Sequence, residues 1–407
     1  MNQNNPEEIA VDDGMSSYED FRNRVQEYFL NRKITQADID LLNAQNQLQI
    51  TEKQLCTEEI FYWLTKSEVL FSYEILEFFA QQNIHIGQLP WTPPRLRLGV
   101  SREGIIEKDI SDLLVGGNTA AVDWKWYETK DYYEPDFPIY NDVTLQYYDN
   151  SCEIWNYPES QFPAVYAHST IYDKNTNAVY ITGGLGSGER QRKNITEIYA
   201  LDLETKDIQK IEALGESPPC LHYHQSEIYH HDLIEMRDGN ILKNGIEIKN
   251  LYVWYFNLTT KTWLAQESEI YQHWLITAVN DGELFLDISK EMLKMEEEKI
   301  DSSEYIEQYK AHIFEQYKYQ PNYQLYSRLY LVCEQMYLSK SENFPYRSLI
   351  YQCILKDQVY HCFEGHNRIE VAFSASASVE FQNMIIDDLK SKLHHISGHH
   401  IVAEKVM

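Results

Sequence analysis

Basic side chains are few in this sequence. The 407 residues include 35 Lys and Arg against 63 Asp and Glu, which leaves a formal net charge of −28. Such a charge repels nucleic-acid phosphates and anionic membrane surfaces, so we expect neither nucleic acid nor a membrane as a partner. Two interpretations of the acidity stay open, namely simple solubility and attraction to a basic protein.

Cysteine pairs and long apolar runs are also missing. The six cysteines are scattered without a CxxC pair or the spacing of zinc ligands, so we expect no disulfide framework, structural metal or cofactor. No run approaches about 18 apolar residues. The N-terminus is acidic and polar where a secretory signal is basic and then apolar. We therefore expect a cytoplasmic protein.

Catalytic motifs are absent as well. No Ser-His-Asp order, GxSxG turn or HExxH helix occurs. The GGLGSG segment at 183–188 has the wrong spacing for a phosphate loop and is predicted to be a β-turn. The histidines His222, His224, His230 and His231 lack the carboxylate or Cys that would complete a recognisable metal site. These absences favour a protein that is not an enzyme.

What the chain does contain divides it into four regions. Residues 1–15 lack apolar periodicity and are expected to be a disordered tail. Residues 16–96 show helical spacing, and 97–288 show short aromatic and β-branched segments between turn residues. Residues 289–407 combine a long acidic helix, about four strands and a last helix. The predicted fold class is α+β, with N-terminal helices, central antiparallel β units and a C-terminal α+β domain.

Cap signals locate several of these helices. Thr35 with Asp38 predicts a capping box before IDLLNAQNQ, and Thr51 and Thr57 are predicted to open the helical segment TEKQLCTEEIFYWLTK. The last helix, in VEFQNMIIDDLKSKLHHISG, is predicted to end at Gly398, because glycine commonly ends helices.

The central region repeats itself with a period that is typical of propellers and solenoids. One unit runs from His168 through AVYITGG to EIYALDL, and the next runs from His224 through GNILKNG to Trp263. Each unit has a His, an apolar strand, a second strand ending at Gly, and a third aromatic-containing strand before Thr-Lys. Trp155 takes the place of the closing Trp in a unit upstream, and HWLITA with ELFLDI would begin another downstream.

These units resemble the kelch repeat. In that family a double Gly ends the second strand, and a Tyr and a final Trp pack between blades. The matching structural positions are His168, Gly183, Gly184, Tyr199, His224 and Trp263. The second unit has only Gly245 where a pair is expected. Two units and two halves cannot close a propeller of about four to eight blades, so the resemblance implies an incomplete, open array.

Two segments have the composition of contact surfaces. Aromatic side chains stand among acidic ones in the first, and carboxylates form a run in the second. Burial between domains, or an ordinary solvated helix face, are the competing interpretations. The predicted partner-binding residues are Trp124, Trp126, Tyr132, Tyr133, Glu296, Glu297, Glu298 and Asp301.

As a whole the chain resembles an immunity protein of a bacterial polymorphic toxin system, being acidic, rich in Tyr (31 residues) and built from partial repeats. That resemblance implies a cytoplasmic, non-enzymatic protein that covers the active site of a cognate basic toxin, such as a nuclease effector of a type VI secretion system. A kelch-type carbohydrate-binding or enzymatic propeller is one alternative. A cytosolic scaffold or adaptor is another.

Overall fold

A computed structural model of the chain describes most of its residues in two compact units. The described residues are 34–45, 50–66, 91–94, 97, 99–118, 139–149, 151–186, 195–230, 232–243, 245–264, 270–297, 303–330, 335–339, 350–365 and 367–406. The first unit comprises Met1–Gly245 and Val253–Ala265, and the second comprises Ile246–Tyr252 and Gln266–Met407. The predicted disordered tail lies outside the described residues. No helix in the described ranges is long and apolar enough to cross a membrane.

Two described helices begin the first unit, α1 (Gln36–Gln45) and α2 (Glu59–Lys66). The capping box is confirmed, since the Thr35 N–H donates to Asp38 Oδ2 at 2.8 Å and the Asp38 N–H donates to Thr35 Oγ1 at 3.2 Å. The helix predicted from Thr51 is wrong in its first half. Its residues Gln54–Leu55 form β1, which pairs with the edge of a sheet, and that contact outweighs local propensity.

Most of the first unit is made of three antiparallel sheets. The strand bounds in sheets A to C are β2 (Ser101–Ile105), β3 (Ile110–Val115), β4 (Val143–Tyr147), β5 (Cys152–Asn156), β6 (Ser169–Asp173), β7 (Ala178–Thr182), β8 (Ile198–Asp202), β9 (Ile208–Lys210), β11 (Gln225–Tyr229), β12 (Leu233–Arg237), β15 (Trp254–Asn257) and β16 (Thr262–Leu264). Sheet A has the order β1-β5-β4-β3-β2, sheet B the order β6-β7-β8-β9, and sheet C the order β11-β12-β15-β16. Strand β6 of sheet B is a neighbour in space of both β2 of sheet A and β11 of sheet C. Outside these sheets, β10 (Cys220–His222) pairs with β13 (Asn240–Lys243).

Strands β3, β7 and β12 are each followed by two residues with left-handed backbone. A Cβ on Gly183 would lie 2.4 Å from the Leu221 carbonyl oxygen, so only glycine fits there. The prediction that Gly245 is the counterpart in the later unit is wrong, because it follows β13 and a Cβ there would meet open space. Asp at the first of two such positions is tolerated because its short side chain bonds locally. The three pairs are Gly116 and Gly117, Gly183 and Gly184, and Asp238 and Gly239.

A buried ion pair connects Arg97, which precedes β2 in the chain, to residues that flank strands of sheet A. Arg97 Nη2 donates to Asp142 Oδ2 at 2.8 Å, and Arg97 Nη1 donates to the Gly116 carbonyl at 2.9 Å. The guanidinium also lies over the Tyr140 ring, 3.8 Å from its centroid. Such a pair is stable only when its hydrogen bonds are satisfied, as they are here.

The second unit is a six-stranded antiparallel sheet, sheet D, with a helix packed on one face. The elements of this unit are β14 (Ile246–Lys249), β17 (Tyr271–Ala278), α3 (Leu286–Glu297), α4 (Ser303–Tyr317), β18 (Gln335–Ser339), β19 (Ile350–Leu355), β20 (Gln358–Glu364), β21 (Ile369–Ser374), α5 (Val379–Ser397) and β22 (Ile401–Lys405). Sheet D has the order β18-β19-β20-β21-β17-β22. The four predicted strands and the last helix are confirmed, and Gly398 ends that helix with φ 71°.

Two expectations for this region are wrong. HWLITA does not begin another β unit, because β17 lies between β21 and β22 in sheet D. ELFLDI is not a strand, since α3 begins within it at Leu286. The physical reason is long-range strand pairing, because the strands that pair with β17 lie about a hundred residues further along the chain. Sheet D therefore starts before the expected boundary at residue 289.

A buried carboxylate anchors the segment Ile246–Tyr252 within this unit. Both oxygens of Glu370 accept the Lys249 backbone N–H at 3.0 Å, and His273 Nδ1 lies 2.7 Å from Glu370 Oε1. Burial lowers the pKa of the Lys249 amine. Taken together, the antiparallel sheets and the helices described in both units make a mixed α+β protein. The described helices are not concentrated at the N-terminus.

Candidate functional site

Sheets B and C differ in what their two faces touch. All five residues of β7 are buried, as in a sheet that is covered on both sides. In sheet C one face is buried, with Ile234, Met236 and Phe256 at 0% exposure. The other face carries polar and aromatic side chains. Glu227 and Tyr229 are exposed on this face, whereas Glu235 is only 8% exposed.

Strand register places these outer side chains in two rows. Glu227, Glu235, Tyr255 and Leu264 stand opposite one another on β11, β12, β15 and β16. Tyr229, Leu233, Asn257 and Thr262 form the second row. We call the following residues the terminal face: Glu227, Tyr229, Leu233, Glu235, Arg237, Tyr255, Asn257, Thr262 and Leu264.

One arginine holds two carboxylates together on the terminal face. Arg237 Nη1 donates to Glu227 Oε1 and to Glu235 Oε1, each at 2.9 Å, and Tyr255 Oη donates to Glu235 Oε2, also at 2.9 Å. Like charges directly opposite in a sheet repel, and Arg237 offsets that repulsion. The hydrogen bond that each donates to Glu235 is the main cause that raises the pKa of both Arg237 and Tyr255. The two carboxylates therefore share one arginine, and the three side chains together carry a net negative charge.

Exposed aromatic and apolar groups flank these charges. The Tyr229 ring lies 5.8 Å from that of Tyr255, and Tyr229 and Leu264 are 42% and 40% exposed. Tyr and Arg are enriched where proteins bind one another, because they combine apolar area with hydrogen-bonding groups. The terminal face therefore suits contact with another protein.

Most of the predicted partner-binding residues lie outside the described ranges, namely Trp124, Trp126, Tyr132, Tyr133, Glu298 and Asp301. Glu296 is exposed on α3, where its carboxylate accepts a hydrogen bond from the Tyr323 hydroxyl. Glu297 is the last residue of α3. The prediction that these eight residues form one surface stays a prediction.

The predicted structural histidines connect neighbouring sheets. His168 Nε2 lies 2.6 Å from Ser101 Oγ, which joins the start of sheet B to β2. His224 Nε2 lies 2.9 Å from Thr182 Oγ1 and so joins the start of sheet C to β7. Burial, and secondly the charge of His222, lower the pKa of His224 to about 3. His224 therefore links sheets B and C as a neutral ring.

The two predicted aromatic positions pack in the cores. Tyr199 lies edge-on to Phe162, with ring centroids 5.3 Å apart, and its hydroxyl donates to Glu197. Trp263 packs against Phe256 at 5.0 Å on the buried face of sheet C. Both are therefore structural residues.

The residues of the terminal face were missed in the sequence, although a signal exists. The buried β7 reads AVYIT, which is apolar up to its last residue, whereas the last four residues of β12, IEMR, alternate apolar and polar residues. A run indicates a strand covered on both faces, and alternation indicates a strand with one solvated face. The difference indicates that one face of sheet C lies outside the apolar core. Gly116 and Gly117, which follow β3, were missed as well.

Other polar clusters offer less to a ligand. In the second unit Glu364 accepts hydrogen bonds from the hydroxyls of Tyr326 and Tyr330 at 2.8 Å, and burial raises its pKa. This cluster is internally satisfied. Within the described ranges no group of three or more His, Cys, Asp or Glu side chains is arranged to hold a metal ion.

Comparison with models of known protein families and with curated proteins found no match for this chain.

Proposed function

We propose that this protein works by binding, as a cytoplasmic immunity protein that neutralises a cognate basic toxin, with a nuclease effector of a secretion system as the fitting class of toxin. The observation that carries the proposal is the terminal face, a sheet surface with exposed Tyr229 and with a carboxylate pair, exposed Glu227 and buried Glu235, that a single Arg237 bridges. An acidic binder is steered towards a basic target and can cover a phosphate-binding cleft without chemistry.

We further propose that sheets A, B and C are an open array of kelch-type units. Its support is the recurrence of four antiparallel strands paired in chain order, with β1 added at the edge of sheet A, and of a left-handed pair after β3, β7 and β12. A polar outer face on sheet C is what an array that ends there needs, because a further blade would require an apolar surface.

The gene neighbourhood gives the first test. We expect deletion of this gene alone to be lethal or strongly inhibitory, and deletion together with an adjacent toxin gene to be tolerated. Purified protein should bind the basic domain encoded by that adjacent gene, and the affinity should fall as salt is raised. If the single deletion is harmless and the two purified proteins do not bind, the immunity proposal is wrong.

Matched tyrosine variants test the surface. Tyr229→Ala should weaken binding by roughly tenfold or more, which is typical of a central aromatic contact. Tyr148→Ala is the control, because Tyr148 is 60% exposed in the same unit but follows β4 of sheet A. Equal affinity of the two variants would place the contact elsewhere.

A further inference from the structure

An exposed leucine widens the terminal face beyond β16. The backbone N–H of Leu214 donates to the Lys261 carbonyl at 2.7 Å, and the Trp263 N–H donates to the Leu214 carbonyl at 2.9 Å. These bonds form a parallel bridge between Leu214 and Thr262. Bridged residues of neighbouring strands project to the same face, so Leu214 continues the row of Tyr229, Leu233, Asn257 and Thr262.

The backbone around Leu214 is held in place. Gly215 has φ 85°, and a Cβ on it would lie 3.2 Å from the Trp263 carbonyl oxygen. Yet the Leu214 side chain is 62% exposed, so folding leaves most of it in water. A fixed backbone that presents an apolar side chain loses little entropy on binding.

Two acidic residues lie close to Leu214 in the sequence. Glu212 and Glu216 are both exposed in the same loop, on either side of Leu214. An apolar group between two carboxylates is complementary to a segment with an apolar pocket or side chain between basic residues.

We propose that Leu214 is the apolar anchor of the partner-binding surface, and that it is contacted by a Lys- or Arg-rich segment of a protein partner that also carries apolar groups. The proposal rests on the proposed function and adds its partner chemistry. Leu214 supplies the contact that holds the complex together, while Glu212 and Glu216 supply the attraction that brings the partner in.

The test separates these two roles by kinetics, with the basic domain encoded by the adjacent gene as the probe. Leu214→Ala should raise the dissociation rate roughly tenfold or more, and leave the association rate and its salt dependence unchanged. The double variant Glu212→Gln with Glu216→Gln should slow association and flatten its salt dependence. Gly215→Ala, which shifts the loop, should also speed dissociation.

Controls come from another turn of the first unit. Ile106 is 76% exposed and Glu107 is exposed beside it, so Ile106→Ala and Glu107→Gln remove the same kinds of group from a site outside the terminal face. Both variants should have the association and dissociation rates of the unaltered protein. Rates for Leu214→Ala that equal those for Ile106→Ala would overturn this proposal alone. An unaltered chain that does not bind the probe overturns the immunity proposal and this one together.

Discussion

His224 shows how one side chain can join two sheets. Its ring is 6% exposed, and its Nε2 bonds to the Thr182 hydroxyl. We expect His224→Ala to lower the free energy of unfolding by about 2–3 kcal/mol, because it opens a cavity and leaves a buried hydroxyl with fewer partners. Urea unfolding followed by circular dichroism measures this. His230→Asn, at an exposed turn with φ 49°, should change stability by less than about 0.5 kcal/mol.

The same ring should make stability depend on pH. The pKa of His224 is lowered from 6.5 to about 3, so between these values the unfolded chain binds a proton that the folded chain does not. The stabilisation that the buried, neutral His224 ring gives is therefore complete above pH 6.5 and is lost as the pH falls towards 3. Over this range the free energy of unfolding decreases by about 1.4 kcal/mol per pH unit. Comparing His224→Gln with the unaltered protein at pH 7 and pH 5 isolates the effect. We expect the difference in the free energy of unfolding between the two proteins to be smaller at pH 5 than at pH 7 by roughly 2 kcal/mol. The same difference at both pH values would contradict the prediction.

At the scale of elements, α5 depends on its ends. Ser378 accepts the Phe381 N–H at its start, and Gly398 takes the left-handed conformation at its end. Ser378→Ala should lower the free energy of unfolding by about 1 kcal/mol, because a helix N–H loses its partner. Ser391→Ala, at an exposed position inside the helix, should be neutral or slightly stabilising, since Ala favours helix. Equal effects of the two substitutions in thermal unfolding would mean that the cap contributes nothing.

Strand pairing explains which elements could be predicted from the sequence. The capping box at Thr35 and the end of α5 depend on residues a few positions apart, so local patterns located them. β1 and β17 depend on partners far along the chain, and their neighbours in sequence indicated other structures. Gln54–Leu55 lie in a helical sequence pattern, but they pair with the edge of β5 instead. The segment around β17 matches the repeat pattern, but it pairs with strands of sheet D.

At the scale of the whole molecule, net charge should act on stability. Many like charges repel one another in the compact state, and salt screens them. We expect the apparent thermal midpoint to rise by roughly 2–5 °C between about 0.01 and 0.15 M NaCl, where the Debye length falls from about 30 to 8 Å. Near the isoelectric point the rise should disappear. A midpoint that falls with salt at neutral pH would show that attractive ion pairs outweigh the repulsion.

The sequence by itself determined the strand-rich repeat, the capped helices and the acidic charge, because each depends on local pattern or composition. Only the tertiary structure decided that Asp238–Gly239 replaces an expected glycine pair, and that Glu227, Glu235 and Arg237 meet on one face. Residues on different strands become neighbours through register, which hydrogen bonds between distant segments set. The terminal face exists for that reason, and so does the place of Leu214 beside it.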